Sequence, residues 1–171
     1  MRMRVLGIDC GTQFTGYGVV ESDATGHLRA VTSGAIRLSK RDPMAQRLCT
    51  VFTELNVLMA QHTPDVVAIE EVFHAANSRT ALLLGQVRGV ALLTAATNKL
   101  AIAEYAPLAV KSAVSGYGLA DKQQVQFMVM RLLELTVAPE PLDASDALAI
   151  AICHLHHAQT AAAQERGPQG R

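Results

Sequence analysis

The sequence contains few of the residues that build aromatic surfaces or disulfide-linked folds. Its 171 residues include no tryptophan, three tyrosines and four phenylalanines, so we do not expect an extended surface that stacks nucleic-acid bases on aromatic rings. The three cysteines, Cys10, Cys49 and Cys153, are odd in number and form no Cys-X-X-Cys pair, which argues against a disulfide framework. Free thiols are typical of a reducing compartment, and we therefore expect a cytoplasmic protein.

The sequence also lacks net charge and a long uninterrupted apolar run. Fifteen Lys and Arg balance fifteen Asp and Glu, which excludes a simple polybasic DNA-coating protein but allows a basic face balanced by an acidic cluster. The apolar run at residues 5–8 is too short for a signal peptide. The most apolar stretch, residues 82–97, is interrupted by Gln86 and Arg88, so we expect no membrane-spanning segment.

The apolar residues that are present, half of the chain, follow the periods of an α/β domain. Three strands at residues 5–9, 15–22 and 28–36 stand at hairpin spacing and predict an antiparallel meander. Asp42 and Pro43 resemble an N-cap followed by proline at the first helical position. The later pattern predicts further elements in this order: a helix to residue 62, a strand at 66–70, a helix at 77–98, a strand at 100–105, a short helix from Pro107, and helices at 121–135 and 142–159.

This order predicts an α/β fold in which a mixed five-stranded sheet is flanked by helices within a single domain. We expect residues 1–160 to form the domain and residues 161–171 to form a flexible C-terminal tail. Right-handed crossovers place the strand at 66–70 beside the first strand. Functional sites in such sheets gather at the carboxyl ends of parallel strands.

Acidic residues mark these strand ends. Asp9 closes the first strand and Glu70 the fourth, while Asp143 and Asp146 share one face of the last helix because they are three residues apart. Neighbouring carboxylates repel each other, so a cluster of four requires cations. Oxygen ligands suit Mg²⁺ or Mn²⁺, and two such ions can catalyse phosphodiester hydrolysis. Taken singly, the two aspartates are also typical of first-turn acids that favour the helix dipole.

Four segments resemble the RuvC family of bacterial Holliday-junction resolvases. They read GIDCGTQFTGYGVV, AIEEVFHAANSRTALLLGQVRGV, EYAPLAVKSAVSGYGLADKQQV and LDASDALAIAICH, in that order from residue 5 to about residue 157. The resemblance implies a ribonuclease-H-like fold, a homodimer, a divalent-metal nuclease site with two ions, a four-way DNA junction as substrate, and the RuvA–RuvB branch-migration complex as partner. It also implies cleavage by paired nicks that leave 5′-phosphate and 3′-hydroxyl ends.

The resemblance assigns the catalytic and metal-binding carboxylates to Asp9, Glu70, Asp143 and Asp146. The strand pattern alone does not choose between Glu70 and Glu71, because the two side chains point to opposite faces. Cys10 stands where the family's first motif usually has proline, which removes no ligand.

Five residues are candidates for DNA contact. The resemblance implies roles for Lys111 and Lys122, and each is predicted near a helix N-terminus, where a phosphate binds favourably. Arg79 belongs to a segment in which bases outnumber acids, although a solvated helix face would look the same. Phe73 and His74 follow the fourth strand and could stack at an unpaired junction centre; Phe73 could equally pack into the core.

Two other classes of function fit parts of the sequence. The GIDCGT segment also resembles a phosphate loop of sugar-kinase-like and actin-like ATPases, but those proteins need two lobes and 171 residues supply one. A catalytically inactive DNA-binding scaffold would not need four carboxylates.

A dimer is favoured because resolving a two-fold junction takes two active sites. The helix at 77–98 offers a surface for it, since Gly85 and Gly89 permit close helix approach, although a helix that is apolar on more than one side also fits burial between the sheet and its neighbours.

Overall fold

The chain folds into one sheet with helices on both faces. The computed structural model describes residues 2–71 and 77–165. Its strands are β1 (Met3–Asp9), β2 (Phe14–Ser22), β3 (Leu28–Arg37), β4 (Val66–Glu70) and β5 (Ala101–Tyr105). Its helices are α1 (Met44–His62), α2 (Ser78–Thr97), α3 (Pro107–Ser115), α4 (Lys122–Leu132) and α5 (Leu142–Glu165).

The five strands form a single mixed sheet in the order β3-β2-β1-β4-β5. The β1–β2 and β2–β3 pairs are antiparallel, as the predicted meander requires, whereas β1–β4 and β4–β5 are parallel. The strand that ends in Glu70 therefore lies beside the strand that ends in Asp9, and the expectation from right-handed crossovers is confirmed. The carboxyl ends of β1, β4 and β5 share one edge of the sheet.

Alternate residues of the central strands supply two hydrophobic cores. Val5 and Ala68 face the core that α3, α4 and α5 cover, while Leu6 and Val67 face the core under α1 and α2. Both faces of β1 and β4 are buried, which explains why these strands are apolar runs without alternation. Since side chains alternate along a strand, Asp9 and Glu70 belong to the face of Val5 and Ala68.

Two glycines let helix α5 lie directly against the sheet. A Cβ atom at Gly7 of β1 would overlap the carbonyl oxygen of Ala147, and a Cβ atom at Gly16 of β2 would overlap that of Asp143. Any residue other than glycine at these positions would force the helix away from the strands. The start of α5 is thus held against the sheet beside Asp9, which pairs with Gly16.

Helix α2 is long and apolar enough to cross a membrane by length and composition alone. The same helix packs against the second core through Val87, Ala91 and Ala95, so a single face of it is occupied within the fold. The interruptions at Gln86 and Arg88 stand in its middle, and Arg88 turns towards the sheet to hydrogen-bond the backbone of Glu70. This packing accounts for the apolar residues on one face of α2, whereas Leu82 and Leu93 on the other side are exposed.

Two predicted helix ends differ from the structure. Helix α1 begins at Met44 with Pro43 as its N-cap and no side-chain cap; Asp42 is not the cap, because Pro43 itself has extended backbone angles rather than helical ones. Helix α5 continues to Glu165, past the predicted end at residue 159, since the alanine-rich segment 161–163 favours helix. Residues 161–165 are therefore helical, and residues 166–171 of the predicted tail lie outside the described residues.

Candidate active site

Asp9 and Glu70 lie side by side at the carboxyl edge of the sheet. The last paired residues of the parallel β1–β4 ladder are Ile8 and Ile69, so each acid stands one position beyond them. Both strands are buried up to this point, and the chain leaves the core at these two residues. The two neighbouring glutamates differ in position: Glu70 lines the cavity that Asp9 lines, whereas Glu71 does not.

The first turns of α5 bring two more carboxylates to this edge. Asp146 lines the same cavity of about 220 Å³ as Asp9 and Glu70. Asp143 is one helical turn earlier, where its backbone contacts Gly16 of β2, and it does not line the cavity. It is nevertheless close enough to Asp9 for its charge to raise the pKa of that residue. Three elements thus bring four acids together, with Asp143 at the margin.

Two lysines and an apolar wall complete the cavity. Lys111 and Lys122 both line it, and the Nζ atom of Lys122 lies 2.8 Å from Oδ2 of Asp146. Lys122 is the first residue of α4, in agreement with its predicted place near a helix N-terminus. Lys111 was predicted near a helix N-terminus too, but it lies in the middle of α3. The apolar side of the cavity consists of Pro107, Val110, Val125 and Ala149.

Burial and crowding of charge raise the pKa values of the central acids. The pKa of Asp9 rises to about 7, first because burial removes water from the carboxylate and then because Asp146, Glu70 and Asp143 repel its charge. The pKa of Glu70 is also raised, by burial and by Asp146, although the charges of Lys122 and Lys111 oppose this change. Carboxylates in such surroundings gain most from a nearby positive charge.

The donor atoms of this cluster suit a divalent cation. Asp9, Glu70 and Asp146 offer only carboxylate oxygens, the ligands that Mg²⁺ and Mn²⁺ prefer. Within residues 2–71 and 77–165, however, no three His, Cys, Asp or Glu side chains converge tightly enough to hold one ion together. Lys122 supplies in this structure part of the positive charge that the acids require.

Arg88 is a residue beside the site that the sequence patterns did not single out. From α2, its Nε donates a hydrogen bond to the backbone oxygen of Glu70 at 3.3 Å, and its guanidinium pairs with Glu104 of β5. It therefore fixes the end of β4 at the residue where Glu70 enters the cavity. A charged residue inside an otherwise apolar helix was the available signal, because such a residue needs a partner when it faces the protein.

Other predicted contact residues are not brought to the cavity. Arg79 is exposed in the first turn of α2, and no hydrogen bond or ion pair among the described residues joins it to the acids. Phe73 and His74 lie outside the described residues. The role of all three in DNA binding stays a prediction.

Cys10, directly after Asp9, has a thiol with a raised pKa. Burial, followed by the neighbouring charge of Asp9, raises the pKa of its thiol to about 12, so the reactive thiolate does not form near neutral pH. The proline that the family usually has here is replaced by a protonated thiol.

Comparisons with known proteins agree with this arrangement. A family model described as crossover junction endodeoxyribonuclease RuvC matches residues 5–154. The RuvC protein of Koribacter versatilis is 58% identical over 158 residues, which are 92% of this chain and 95% of that protein. The RuvC protein of Acidobacterium capsulatum is 59% identical over 169 residues, covering 95% and 99% of the two chains.

A solved structure gives the same result for the fold. The structure of Thermus thermophilus RuvC in complex with Holliday junction substrate matches with a TM-score of 0.88 and 31% sequence identity, over 93% of this chain and 96% of that one. The mixed five-stranded sheet flanked by helices is therefore the ribonuclease-H-like architecture that the sequence predicted. With the matched residues spanning both acid-bearing strands and the acid-bearing helix, the chain belongs to the RuvC family of crossover junction endodeoxyribonucleases.

Proposed function

We propose that this protein is a divalent-metal-dependent endonuclease that resolves four-way DNA junctions by paired nicks. One observation carries the proposal: Asp9, Glu70 and Asp146 meet two lysines around a single cavity at the carboxyl edge of the sheet, in a chain of the RuvC family. An acidic cluster beside lysines has the composition needed to hold cations and a DNA phosphate together.

The four acids would hold the ions. Asp9, Glu70 and Asp146 line the cavity, and Asp143 stands one helical turn before Asp146 on α5. When bound to these carboxylates, two Mg²⁺ ions, or Mn²⁺ in their place, would supply the positive charge needed to activate a water molecule and to stabilise the leaving oxygen of a phosphodiester. The protein's part is to fix the carboxylate oxygens on three rigid elements, which β1, β4 and α5 do.

The two lysines would receive the DNA backbone. Lys122 stands at the N-terminus of α4, where the helix dipole adds to its positive charge. Lys111 lines the same cavity from α3. The apolar wall formed by Val110 and Val125 excludes water from one side of the cavity, which strengthens the attraction between these ammonium groups and a phosphate.

A second copy of the chain would supply the second active site. On α2, the side opposite the core carries an apolar stripe formed by Leu82, Gly85, Gly89 and Leu93. Leu82 is 70% exposed and Leu93 56% exposed, and a Cβ atom at either glycine would meet no other atom of the described chain within 4 Å. A helix of the partner can therefore approach closely here, and we propose a two-fold homodimer on this stripe.

The cell context of the proposal follows from the family and from the thiols. Membership of the RuvC family suggests action together with the RuvA–RuvB branch-migration complex in recombination and DNA repair. Cys10, Cys49 and Cys153 are all free thiols, which supports a cytoplasmic location.

Cleavage of defined DNA structures tests the proposal. The full chain is incubated with a synthetic four-way junction and with a linear duplex of the same sequence, in Mg²⁺, in Mn²⁺ and in a chelator. We expect symmetric nicks in two strands of like polarity, with 5′-phosphate and 3′-hydroxyl ends, on the junction and in the presence of metal only.

Two results would contradict it. Equal cutting of the linear duplex would remove the selectivity for junctions, and cutting in chelator would remove the role of the carboxylates as metal ligands. Binding of the junction without any cutting in either metal would favour the inactive scaffold.

A further inference from the structure

A second groove opens on the same edge of the sheet as the acidic cavity. It lies where the β1–β2 turn meets the end of β3, has a volume of about 640 Å³, and is lined mainly by Gln13, Phe14, Arg37, Ser39, Lys40 and Arg41. The ring of Phe14 is partly exposed there. The groove and the acidic cavity share no lining residue.

The charge of the groove is positive. Arg37, Lys40 and Arg41 are exposed, and no acidic residue lines the groove with them. None of the ion pairs in the described part of the chain involves these three residues. By contrast, Arg2, Arg4 and Arg29 at the opposite edge of the sheet surround Glu21 and pair with it. The groove is therefore built to attract an anion rather than to neutralise a neighbour.

The groove is close to the acidic cavity. Asp9 pairs with Gly16 across β1 and β2, and Phe14 pairs with Arg37 across β2 and β3. Neighbouring strands are about 4.8 Å apart, so the end of β3 lies on the order of 10 Å from the end of β1. One DNA strand carries a phosphate about every 3.4 Å along the duplex axis, so this distance corresponds to about three base pairs.

The groove is held in place by hydrogen bonds of the main chain. The amide of Leu38 donates to the carbonyl oxygen of Gln13 at 2.8 Å, which ties the end of β3 to the β1–β2 turn. The guanidinium of Arg47 donates to the carbonyl oxygen of Thr12 in the same turn. Because this turn begins directly after Asp9, the basic groups have a fixed position relative to the acidic cavity.

We propose that this groove binds the sugar–phosphate backbone of the DNA arm that flanks the cleaved phosphate. The inference rests on the proposed function and adds a contact site to it. Arg37, Lys40 and Arg41 pair with successive phosphates, and the exposed part of the Phe14 ring packs against deoxyribose. DNA then crosses the whole carboxyl edge of the sheet, from Lys111 and Lys122 on one side of the acids to the groove on the other.

Two arginines of the same strand provide a matched test. Arg37 and Arg29 are both exposed residues of β3, about 26 Å apart at a rise of about 3.3 Å per residue, and only Arg37 lines the groove. The affinities of R37Q and R29Q for a junction are measured in chelator over a series of salt concentrations. We expect R37Q to bind several-fold more weakly, with the slope of log affinity against log salt reduced by about one, and R29Q to bind as the wild type does.

A combined variant and a cleavage measurement separate the groove from the active site. Replacing Arg37, Lys40 and Arg41 together by glutamine should reduce the slope by about two to three. At junction concentrations below saturation in Mg²⁺, the cleavage rate of the triple variant should fall in proportion to its loss of affinity, because the groove binds the DNA but does not touch the reacting phosphate.

The outcomes distinguish this inference from the proposed function. If the wild type cuts junctions and R37Q has the affinity and the salt slope of the wild type, the proposal that the groove binds DNA is wrong while the proposed function stands. The ligand of the groove would then be an acidic protein surface. If the wild type binds no DNA, both the proposed function and DNA binding by the groove are wrong. Equal loss of affinity in R37Q and R29Q also contradicts DNA binding by the groove, because it shows a general charge effect.

Discussion

Lys122 and Asp146 form an ion pair across the acidic cavity, with Nζ of Lys122 2.8 Å from Oδ2 of Asp146. The contact joins the first turn of α4 to the first turns of α5 and raises the pKa of Lys122, chiefly through the hydrogen bond to Asp146. A lysine expected to bind DNA thus contacts a carboxylate expected to bind metal. If Asp146 bound a cation, the ammonium group of Lys122 would be available to pair with a phosphate.

Replacing Lys122 by alanine should weaken DNA binding. We expect the slope of log affinity against log salt to fall by about one, since one phosphate contact is lost, and cleavage to slow. Binding titrations at several salt concentrations measure this effect. Gln123→Ala, at the next exposed position of the same helix, is the control and should leave the slope unchanged. An unaltered slope in Lys122→Ala would place Lys122 away from the DNA.

Replacing Asp146 by asparagine should separate cutting from binding. The change removes a charge that repels phosphate and a ligand for metal, so cleavage should be lost while junction affinity stays the same or rises. Asp121→Asn is a suitable control, because asparagine caps a helix as well as aspartate does and Asp121 is the N-cap of α4. Cleavage by Asp146→Asn at the wild-type rate in Mg²⁺ would show that the site is assigned wrongly.

The raised pKa of Asp9 predicts how stability depends on pH without metal. The pKa is about 7 in the folded protein and 3.8 in the unfolded chain, so between these values the folded state binds more protons. The free energy of unfolding should therefore decrease as pH rises from about 4 to about 7 and stay constant above. Asp9→Asn removes this dependence and should be more stable than the wild type at pH 8, by on the order of 4 kcal/mol.

Urea denaturation in chelator at pH 5 and pH 8 measures the difference between Asp9→Asn and the wild type. The difference at pH 5 should be less than half of the difference at pH 8, because Asp9 in the folded wild type is still protonated at pH 5. Adding Mg²⁺ at pH 8 should stabilise the wild type and not the variant, because a ligand stabilises only the state that binds it. A difference of equal size at both pH values would mean that Asp9 titrates normally.

Arg88 should act as a positioning residue for Glu70. Replacing it by methionine removes the hydrogen bond to the Glu70 carbonyl oxygen, and we expect the Mg²⁺ concentration for half-maximal cleavage to rise about 10-fold. Junction affinity in chelator should not change. Glu104→Gln removes the charge of the other Arg88 partner but leaves that hydrogen bond, so it should have a smaller effect. Equal effects of both changes would indicate a general loss of stability instead.

A glutamate at Gly89 should prevent dimer formation. The position has open space in the single chain, so the variant should fold, but a charge in the apolar stripe of α2 opposes its burial against a partner. Sedimentation should show a monomer, and paired nicks should become single nicks. Ala161→Glu, at an exposed position of α5, should remain dimeric. A wild-type monomer at micromolar concentration that still makes paired nicks would contradict the dimer.

The strands and helices that position the acids were predictable because each one is a local pattern. The apolar runs before Asp9 and Glu70 are short and continuous, as strands buried on both faces must be, and Pro107 marks the start of a helix. The order of these elements then implied the parallel β1–β4 pair. Helix ends were harder to predict, since the cap of α1 depends on the backbone angles of Pro43 rather than on residue type.

Features that depend on packing between distant segments were not predictable from these patterns. Glu70 and Glu71 alternate across the strand, and only the placement of α5 on one face decides which of them meets Asp146. The pairing of Arg88 with Glu70 joins residues 18 positions apart on different elements. Arg37 is separated from Asp9 by an entire hairpin, so its place on the same edge of the sheet follows from the pairing register.

The overlap that any Cβ atom at Gly7 or Gly16 would make with helix α5 also bears on how this chain can change over evolutionary time. The separation between the strand carrying Asp9 and the helix carrying Asp146 is set by main-chain atoms, which are the same in every protein. We therefore expect substitutions of core side chains to leave the spacing of the carboxylates unchanged, and any side chain introduced at Gly7 or Gly16 to increase it.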